Sequence, residues 1–269
     1  MVIPSQAVRE TARKLAPLVS ASTVIVSATK GFELSTLKRT SEVLAEELPP
    51  VADKIAVLSG PNHAEEVGLK YPTATVIATP YRKLAERLQG IFMQPYFRVY
   101  TNPDIIGVEL GGALKNIVAL GTGIADGLGF GDNTKAALMT RGLAEITRLG
   151  MALGASPLTF AGLAGIGDLI ATCTSRHSRN RRAGIKIAQG YSVRQIEAES
   201  SMVVEGFRTV RAAYKLAVLH QIPMPITEQT FFVLYENKPA KDAVLDLMAR
   251  GRKHEVEEVV LESGKWRET

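Results

Sequence analysis

The sequence predicts an α/β fold in two parts, an incomplete doubly wound, Rossmann-like sheet at the N-terminal end followed by an all-α C-terminal domain. Three observations predict it. Short β-branched runs alternate with amphipathic stretches up to about Asn102, whereas beyond Pro103 the apolar residues follow a helical period with few β-branched runs. A chain of 269 residues, 46% hydrophobic, can also bury the sizeable core that such a pair needs.

Residues 6–18 are amphipathic and read as a helix, and 23–27 (TVIVS) as the first strand. A second amphipathic stretch, 34–48, precedes strands at 55–59 (IAVLS) and 73–79 (TATVIAT). Strands and helices in this order build a mostly parallel sheet whose ligands gather beyond the carboxyl ends of the strands. Thr29-Lys30-Gly31 and Gly60-Pro61-Asn62 directly follow strand ends and therefore lie on that rim. The boundary falls at 102–107. Residues 1–104 read as the C-terminal portion of a dinucleotide-binding domain, 105–254 as a helical substrate-binding and catalytic domain, and 255–269 as a charged, solvent-exposed tail.

The formal charge of +5 admits nucleic acid, but the basic residues are scattered without interleaved aromatics, and only 176–182 is dense. A small anionic substrate explains that cluster with fewer charges, so no nucleic-acid partner is expected. The single cysteine, Cys173, excludes an intramolecular disulfide and fits a reducing compartment. With no base beside it in sequence, it reads as a small buried hydrophobe rather than a nucleophile. His63, His177, His220 and His254 are far apart and show no ligand spacing, so no metal is expected. The N-terminus shows no basic segment leading into an apolar core, and no uninterrupted apolar run reaches the ~18 residues that span a bilayer. A cytoplasmic protein without a membrane span is therefore expected.

Residues 108–133 (VELGGALKNIVALGTGIADGLGFGDN) set one lysine, Lys115, inside an apolar, glycine-rich helical stretch. Glycine in a helix interior costs ~1 kcal/mol against alanine, so Gly111 and Gly112 imply that another backbone or a ligand comes very close. Two readings stand beside each other. A buried Lys115 would be poised for proton transfer, with a nearby carboxylate holding it charged and aimed; a lysine at a helix edge would snorkel to water. Downstream, GLAGIGDLIATCTSRHSRNRRAG (162–184) delivers Asp168 on a glycine-dense turn and Ser178-Arg179-Asn180 ten residues later. Asp168 alone would read as the cap of a helix beginning at Leu169. Ser178 is the natural N-cap of a helix running to about Gln189. Arg179 at that helix start is mismatched to the dipole unless an anion binds.

These segments, with IPSQAVRE (3–10), ATKGFE (28–33), SGPNHAEEV (59–67), VVEGFRT (203–209) and MPITE (224–228), resemble the NAD(P)-dependent glycerol-3-phosphate dehydrogenase family of bacterial type. The resemblance runs over nearly the whole chain to about His254. It implies reversible hydride transfer between a nicotinamide and dihydroxyacetone phosphate or sn-glycerol 3-phosphate, supplying glycerol phosphate for phospholipid synthesis. A homodimer is compatible with it. By resemblance Lys115 is the proton donor and acceptor, Asp168 its carboxylate partner, and Asn116 a group that orients substrate. Ser178, Arg179 and Asn180 match the phosphate grip, with Arg179 also near the cofactor. Lys30, Gly60 and Asn62 match substrate contacts, although many members carry serine at the position of Asn62. Lys30, Ala64, Val203 and Glu205 match cofactor contacts. Without the resemblance, Lys30 would be a surface lysine, Glu205 an exposed glutamate, and Arg181 and Arg182 a solvated basic face.

One departure stands out. The phosphate-binding motif G-x-G-x-x-G does not occur: Gly121-x-Gly123 meets Asp126 in third position, and Gly165-x-Gly167 meets Ile170, so both read as close helix packing and turns. At ~30 residues per strand-helix-strand unit, an N-terminal part of the nucleotide-binding domain, roughly 60–80 residues, is expected to be lacking. With it would go the residue that separates NAD from NADP. The missing motif favours a catalytically silent remnant serving as a binding or oligomerisation module, whereas the intact Lys115, Asp168 and Arg179 favour an enzyme. The segment SRNRR, which calls for a phosphate, weighs against another dehydrogenase with a similar helical domain.

Overall fold

The computed structural model describes residues 1–200, 202–252 and 255. Helix α1 (Val8–Leu15) turns Val8 and Ala12, one helical turn apart, inward onto Val43, Leu44 and Leu48. Strand β1 (Ile25–Ser27), helix α2 (Thr40–Glu47), strand β2 (Ile55–Ser59), helix α3 (Ala64–Gly68), strand β3 (Thr73–Ala78), helix α4 (Arg82–Phe92) and strand β4 (Phe97–Asn102) complete the α/β part. The sheet has the order β1-β2-β3-β4. β1 pairs with β2 and β3 with β4 in parallel, but β3 runs antiparallel to β2, with Val57 opposite Ala78 and Ser59 opposite Val76. The carboxyl ends of β1 and β2 and the start of β3 therefore share one edge of the sheet.

Two details differ from the sequence reading. Residues 34–39 are not helical: Leu37 takes a positive φ of 62°, and Phe32 bridges Arg39 in antiparallel fashion. The helix starts only at Thr40, where the carboxylate of Glu109 accepts from the Ser41 N–H (2.8 Å) and Thr40 Oγ1 (2.8 Å) and so satisfies groups that a helix start leaves open. β4 was not anticipated, because along FRVYTN only Val99 is fully buried and no apolar alternation marks the strand.

Among the described residues, all regular structure from Ile105 onward is helical. α5 (Ile105–Gly127) opens on Asp104, whose Oδ1 accepts from Gly107 N (2.8 Å) while its Oδ2 accepts from Ser156 N and Thr159 Oγ1. Then follow α6 (Asp132–Ala152), α7 (Pro157–Phe160), a π turn at Leu163–Gly167, α8 (Asp168–Thr174), α9 (Arg179–Ala188), α10 (Val193–Glu199), α11 (Glu205–Leu219), α12 (Pro225–Tyr235) and α13 (Ala240–Met248). α5 is the axis of this part, with Leu110, Leu114, Ile117 and Leu120 fully enclosed. By length and composition it could cross a bilayer, yet 83% of its most apolar window is buried within the protein, as befits a core helix.

The glycines show why α5 sits where it does. A Cβ on Gly111 would overlap the carbonyl oxygen of Ala164, and one on Gly123 the Arg181 carbonyl, while Gly184 lies against the Leu120 carbonyl in return. Backbones thus touch at the π turn and along the α5–α9 crossing, which brings the start of α9 beside Asn116. Gly165 packs its own backbone on Phe160. In each G-x-G pair one glycine, Gly123 or Gly165, makes the close packing contact that the sequence suggested, whereas nothing lies within 4 Å of a Cβ on Gly121. The charged tail expected at 255–269 lies, apart from Glu255, outside the described residues.

Candidate active site

Lys115 is 6% exposed, so it does not snorkel. Its Nζ donates to Asp168 Oδ1 and to Thr172 Oγ1 (2.6 Å). Asp168, 2% exposed, opens α8, but the preceding Gly167 is already helical because the π turn runs straight into α8. Its carboxylate therefore caps nothing and is left for the lysines. Its second oxygen, Oδ2, accepts from Lys30 Nζ (2.6 Å), which also donates to the Gly60 carbonyl (3.2 Å). One carboxylate thus joins an ammonium from each part of the fold. Thr172, one turn after Asp168, donates to the Asp168 carbonyl (2.7 Å) and fixes the remaining face of Lys115.

Burial pushes Lys115 down to about 8 against the opposing pull of Asp168, with the positive charge of Lys30 adding to the fall. Burial alone would raise Asp168, but Lys115 and Lys30 outweigh it and hold the carboxyl below its ordinary value. The result is an anionic carboxylate with an ammonium that gives up its proton near neutral pH. Cys173, one residue past Thr172, is buried with its thiol pushed up to about 12, chiefly by burial, and is chemically quiet as expected.

Around this centre the other expected residues fall into three groups. On the sheet edge, Gly60 takes a φ of 150° against Thr75, and Asn62 Nδ2 donates to Thr75 Oγ1 (3.1 Å). Ala64 is the exposed first residue of α3. Ser59 Oγ is buried without a hydrogen-bond partner, 2.5 Å from where a Cβ on Gly112 would sit, so Gly112 must stay bare for the rim to reach α5. At the start of α9, Ser178 caps the helix by accepting from Arg181 N (3.2 Å), as read from sequence. Asn180 donates to Asn116 Oδ1 (2.8 Å) and accepts from Gly206 N (2.9 Å), so its side chain ties α9, α5 and α11 together. Arg179 is exposed, with one nitrogen on the Val203 carbonyl (3.1 Å). At the start of α11, Glu205 is not an exposed glutamate; its two oxygens accept from Ser5 N (3.0 Å) and Ser5 Oγ (2.8 Å).

Other side chains depart from the sequence reading. Arg181 is no solvated cation: it pairs with Asp126 (2.6 Å), which Lys135 also approaches (3.3 Å). His63 and His177, far apart in sequence, face each other with ring centroids 6.4 Å apart across the cleft between the rim and α8. Among the described residues no group of three His, Cys, Asp or Glu could hold a metal ion. Thr75 carries no signal in the sequence, since a buried threonine in a strand is ordinary; Thr172, at i+4 from Asp168, could have been found by helical spacing.

The family model for the C-terminus of NAD-dependent glycerol-3-phosphate dehydrogenase matches residues 104–245, and the model for its N-terminus matches 1–85. The chain belongs to this family. The N-terminal match gives no support to the expectation that an N-terminal part of the nucleotide-binding domain is lacking. A glycerol-3-phosphate dehydrogenase [NAD(P)+] of Moorella thermoacetica is 61% identical over 264 residues, covering 98% of this chain and 76% of the relative. That of Bacillus subtilis is 53% identical over 261 residues, covering 97% and 76%. The crystal structure of glycerol-3-phosphate dehydrogenase from Coxiella burnetii superposes with a TM-score of 0.88 at 40% identity, over 93% of this chain and 76% of that one. An α/β sheet part followed by a helical part is thus the family's fold.

Proposed function

We propose that this chain is an NAD(P)-dependent glycerol-3-phosphate dehydrogenase, interconverting sn-glycerol 3-phosphate and dihydroxyacetone phosphate. The observation that carries the reading is the buried Lys115–Asp168 pair with the half-buried Lys30 on the other oxygen of Asp168, a cluster that joins the rim of the sheet to the helical core. The remnant reading is not favoured, because a module that only binds has no need of an ammonium held at about 8 beside a carboxylate. The residues at the rim fit a nicotinamide: the Ser59 hydroxyl at the end of β2 is buried and unpartnered. Lys30, Ala64, Arg179, Val203 and Glu205 would hold it. When bound, the nicotinamide supplies or accepts the hydride at C2 of the substrate.

Lys115 Nζ gives its proton to the C2 oxygen as the ketone is reduced and takes it back as the alcohol is oxidised. Asp168 holds that Nζ in place and stabilises its charged form, while Thr172 and the Gly111–Ala164 contact fix its direction. Lys30, on the other oxygen of Asp168, adds positive charge where the C2 oxygen becomes anionic. The free amides at the start of α9 and the Arg179 guanidinium meet the substrate phosphate, and Ser178 caps the helix that presents them. Asn116 orients the substrate, and Asn180 serves by holding Asn116 and the start of α11. Gly60 and Asn62 close the rim side.

The division of labour follows the sequence boundaries, with the nucleotide side in residues 1–104 and the substrate and proton-transfer side in 105–254. Cytoplasmic location, a role in phospholipid synthesis and a homodimer complete the proposal. Loss of reduced nicotinamide absorbance on adding dihydroxyacetone phosphate tests it; an active preparation should also show the reverse reaction with sn-glycerol 3-phosphate and none with unphosphorylated glycerol. Turnover of glycerol as fast as of its phosphate would refute the phosphate grip.

A further inference from the structure

The side chain of Thr75, which no sequence signal singled out, fixes the chemistry that its neighbour Asn62 presents. Thr75 is 0% exposed, and its hydroxyl lies 3.0 Å from the Ser59 carbonyl oxygen. A carbonyl only accepts, so the single hydroxyl proton of Thr75 is committed to it. What remains on Thr75 Oγ1 is a lone pair, and that can meet only a donor. Asn62 answers with its amide nitrogen, Nδ2, at 3.1 Å. Were the amide turned over, two acceptors would face each other in a buried place, at a cost comparable to an unmade hydrogen bond. Nothing among the described residues donates to the Asn62 carbonyl oxygen, Oδ1. Asn62 itself is only half-buried, on the same short turn as the Gly60 carbonyl that receives Lys30 Nζ.

We propose that Thr75 is a positioning residue: by receiving one N–H of Asn62 Nδ2 it locks the amide so that Asn62 keeps its Oδ1 as an acceptor for the ligand. The matching chemistry is an O–H or N–H on the bound molecule. Resting on the glycerol-3-phosphate dehydrogenase reading, the assignment names a hydroxyl of the glycerol moiety as the group that Oδ1 receives. A serine at position 62 could donate or accept as its proton rotates, whereas the amide of Asn62 backed by Thr75 has a fixed orientation. The strand register makes the lock stiff: Val76 pairs with Ser59 across the antiparallel β2–β3 ladder, which pins Thr75 beside the turn, and a Cβ on Gly60 would come within 3.0 Å of the Thr75 backbone.

The test compares the wild-type protein with Thr75→Val, Thr75→Ser and Asn62→Leu, and with the double variant Thr75→Val/Asn62→Leu. In Thr75→Val the KM for sn-glycerol 3-phosphate should rise about tenfold, the weight of one hydrogen bond, with a much smaller change in kcat. Thr75→Ser, which keeps the hydroxyl, should restore it. Asn62→Leu should cost about as much as Thr75→Val, and the double variant no more than either, because both remove the same interaction. The second readout is independent of turnover. The side-chain amide protons of Asn62, followed by ¹H–¹⁵N NMR and assigned by their loss in Asn62→Leu, should exchange slowly in the wild type and in Thr75→Ser but fast in Thr75→Val. Amide signals unchanged in Thr75→Val, or additive KM effects in the double variant, would overturn the proposal. A wild-type protein without activity would refute the dehydrogenase reading and leave the NMR comparison to decide whether Thr75 orients Asn62.

Discussion

Replacing Asp168 by asparagine removes one negative charge and almost no volume from a position 2% exposed, leaving two ammonium groups without their shared anion. Breaking a buried ion pair on one side ordinarily costs about 3–5 kcal/mol of stability. Here Lys115 has a way out. It stands at about 8 only because Asp168 opposes its burial, so without the carboxylate it falls further and sheds its proton at neutral pH. The stability loss should therefore lie at or below the lower end of that range, while activity suffers more. In the wild type, ketone reduction needs Lys115 charged, so kcat/KM should fall as pH rises through about 8; alcohol oxidation needs it neutral and should rise through the same pH. In Asp168→Asn both inflections should move to lower pH, and reduction at neutral pH should drop by roughly 10²–10⁴-fold, the usual weight of a general acid. Urea unfolding gives the stability change, and pH profiles in both directions give the rest. An Asp168→Asn enzyme within about threefold of wild type, with its inflection unmoved, would refute the reasoning.

Two further substitutions probe the phosphate grip and the packing. Arg179→Ala should raise KM for dihydroxyacetone phosphate by the weight of a charge-assisted contact, about 1.5–3 kcal/mol, and leave that for the nicotinamide less affected; equal effects on both would place Arg179 elsewhere. Gly111→Ala should lower the melting temperature and activity together, because the new methyl meets the Ala164 carbonyl, a backbone atom that cannot step aside without moving the π turn that delivers Asp168. Unchanged melting would show that this contact is slack.

Much of the centre was legible in the sequence because its signals are local. Two glycines one turn before a lysine among apolar residues announce close approach, and Ser178 announces a helix start; the structure bears out both, and between a buried and a snorkelling Lys115 it shows the buried one. What escaped depends on pairing over distance. Nothing in FRVYTN reveals β4, since a half-buried strand leaves no period-two pattern beyond Val99. The reversal of β3 against β2, the meeting of His63 with His177, and the pairing of Arg181 with Asp126 are products of topology. Residues 34–39 carry an amphipathic pattern, yet the buried Glu109 sets the helix start at Thr40 by accepting from its first amides and hydroxyls. Local propensity gave way there to a tertiary cap.

The central claim is that Lys115 moves the proton, and Lys115→Ala tests it most directly. Measured as kcat/KM for reduction of dihydroxyacetone phosphate by reduced nicotinamide, beside a circular dichroism melt, the variant should lose roughly 10²–10⁴-fold or more in activity. Its melt should stay cooperative, since the change removes a buried charge whose partner Asp168 keeps Lys30. Activity within about threefold of the wild type in a folded Lys115→Ala protein would contradict the account.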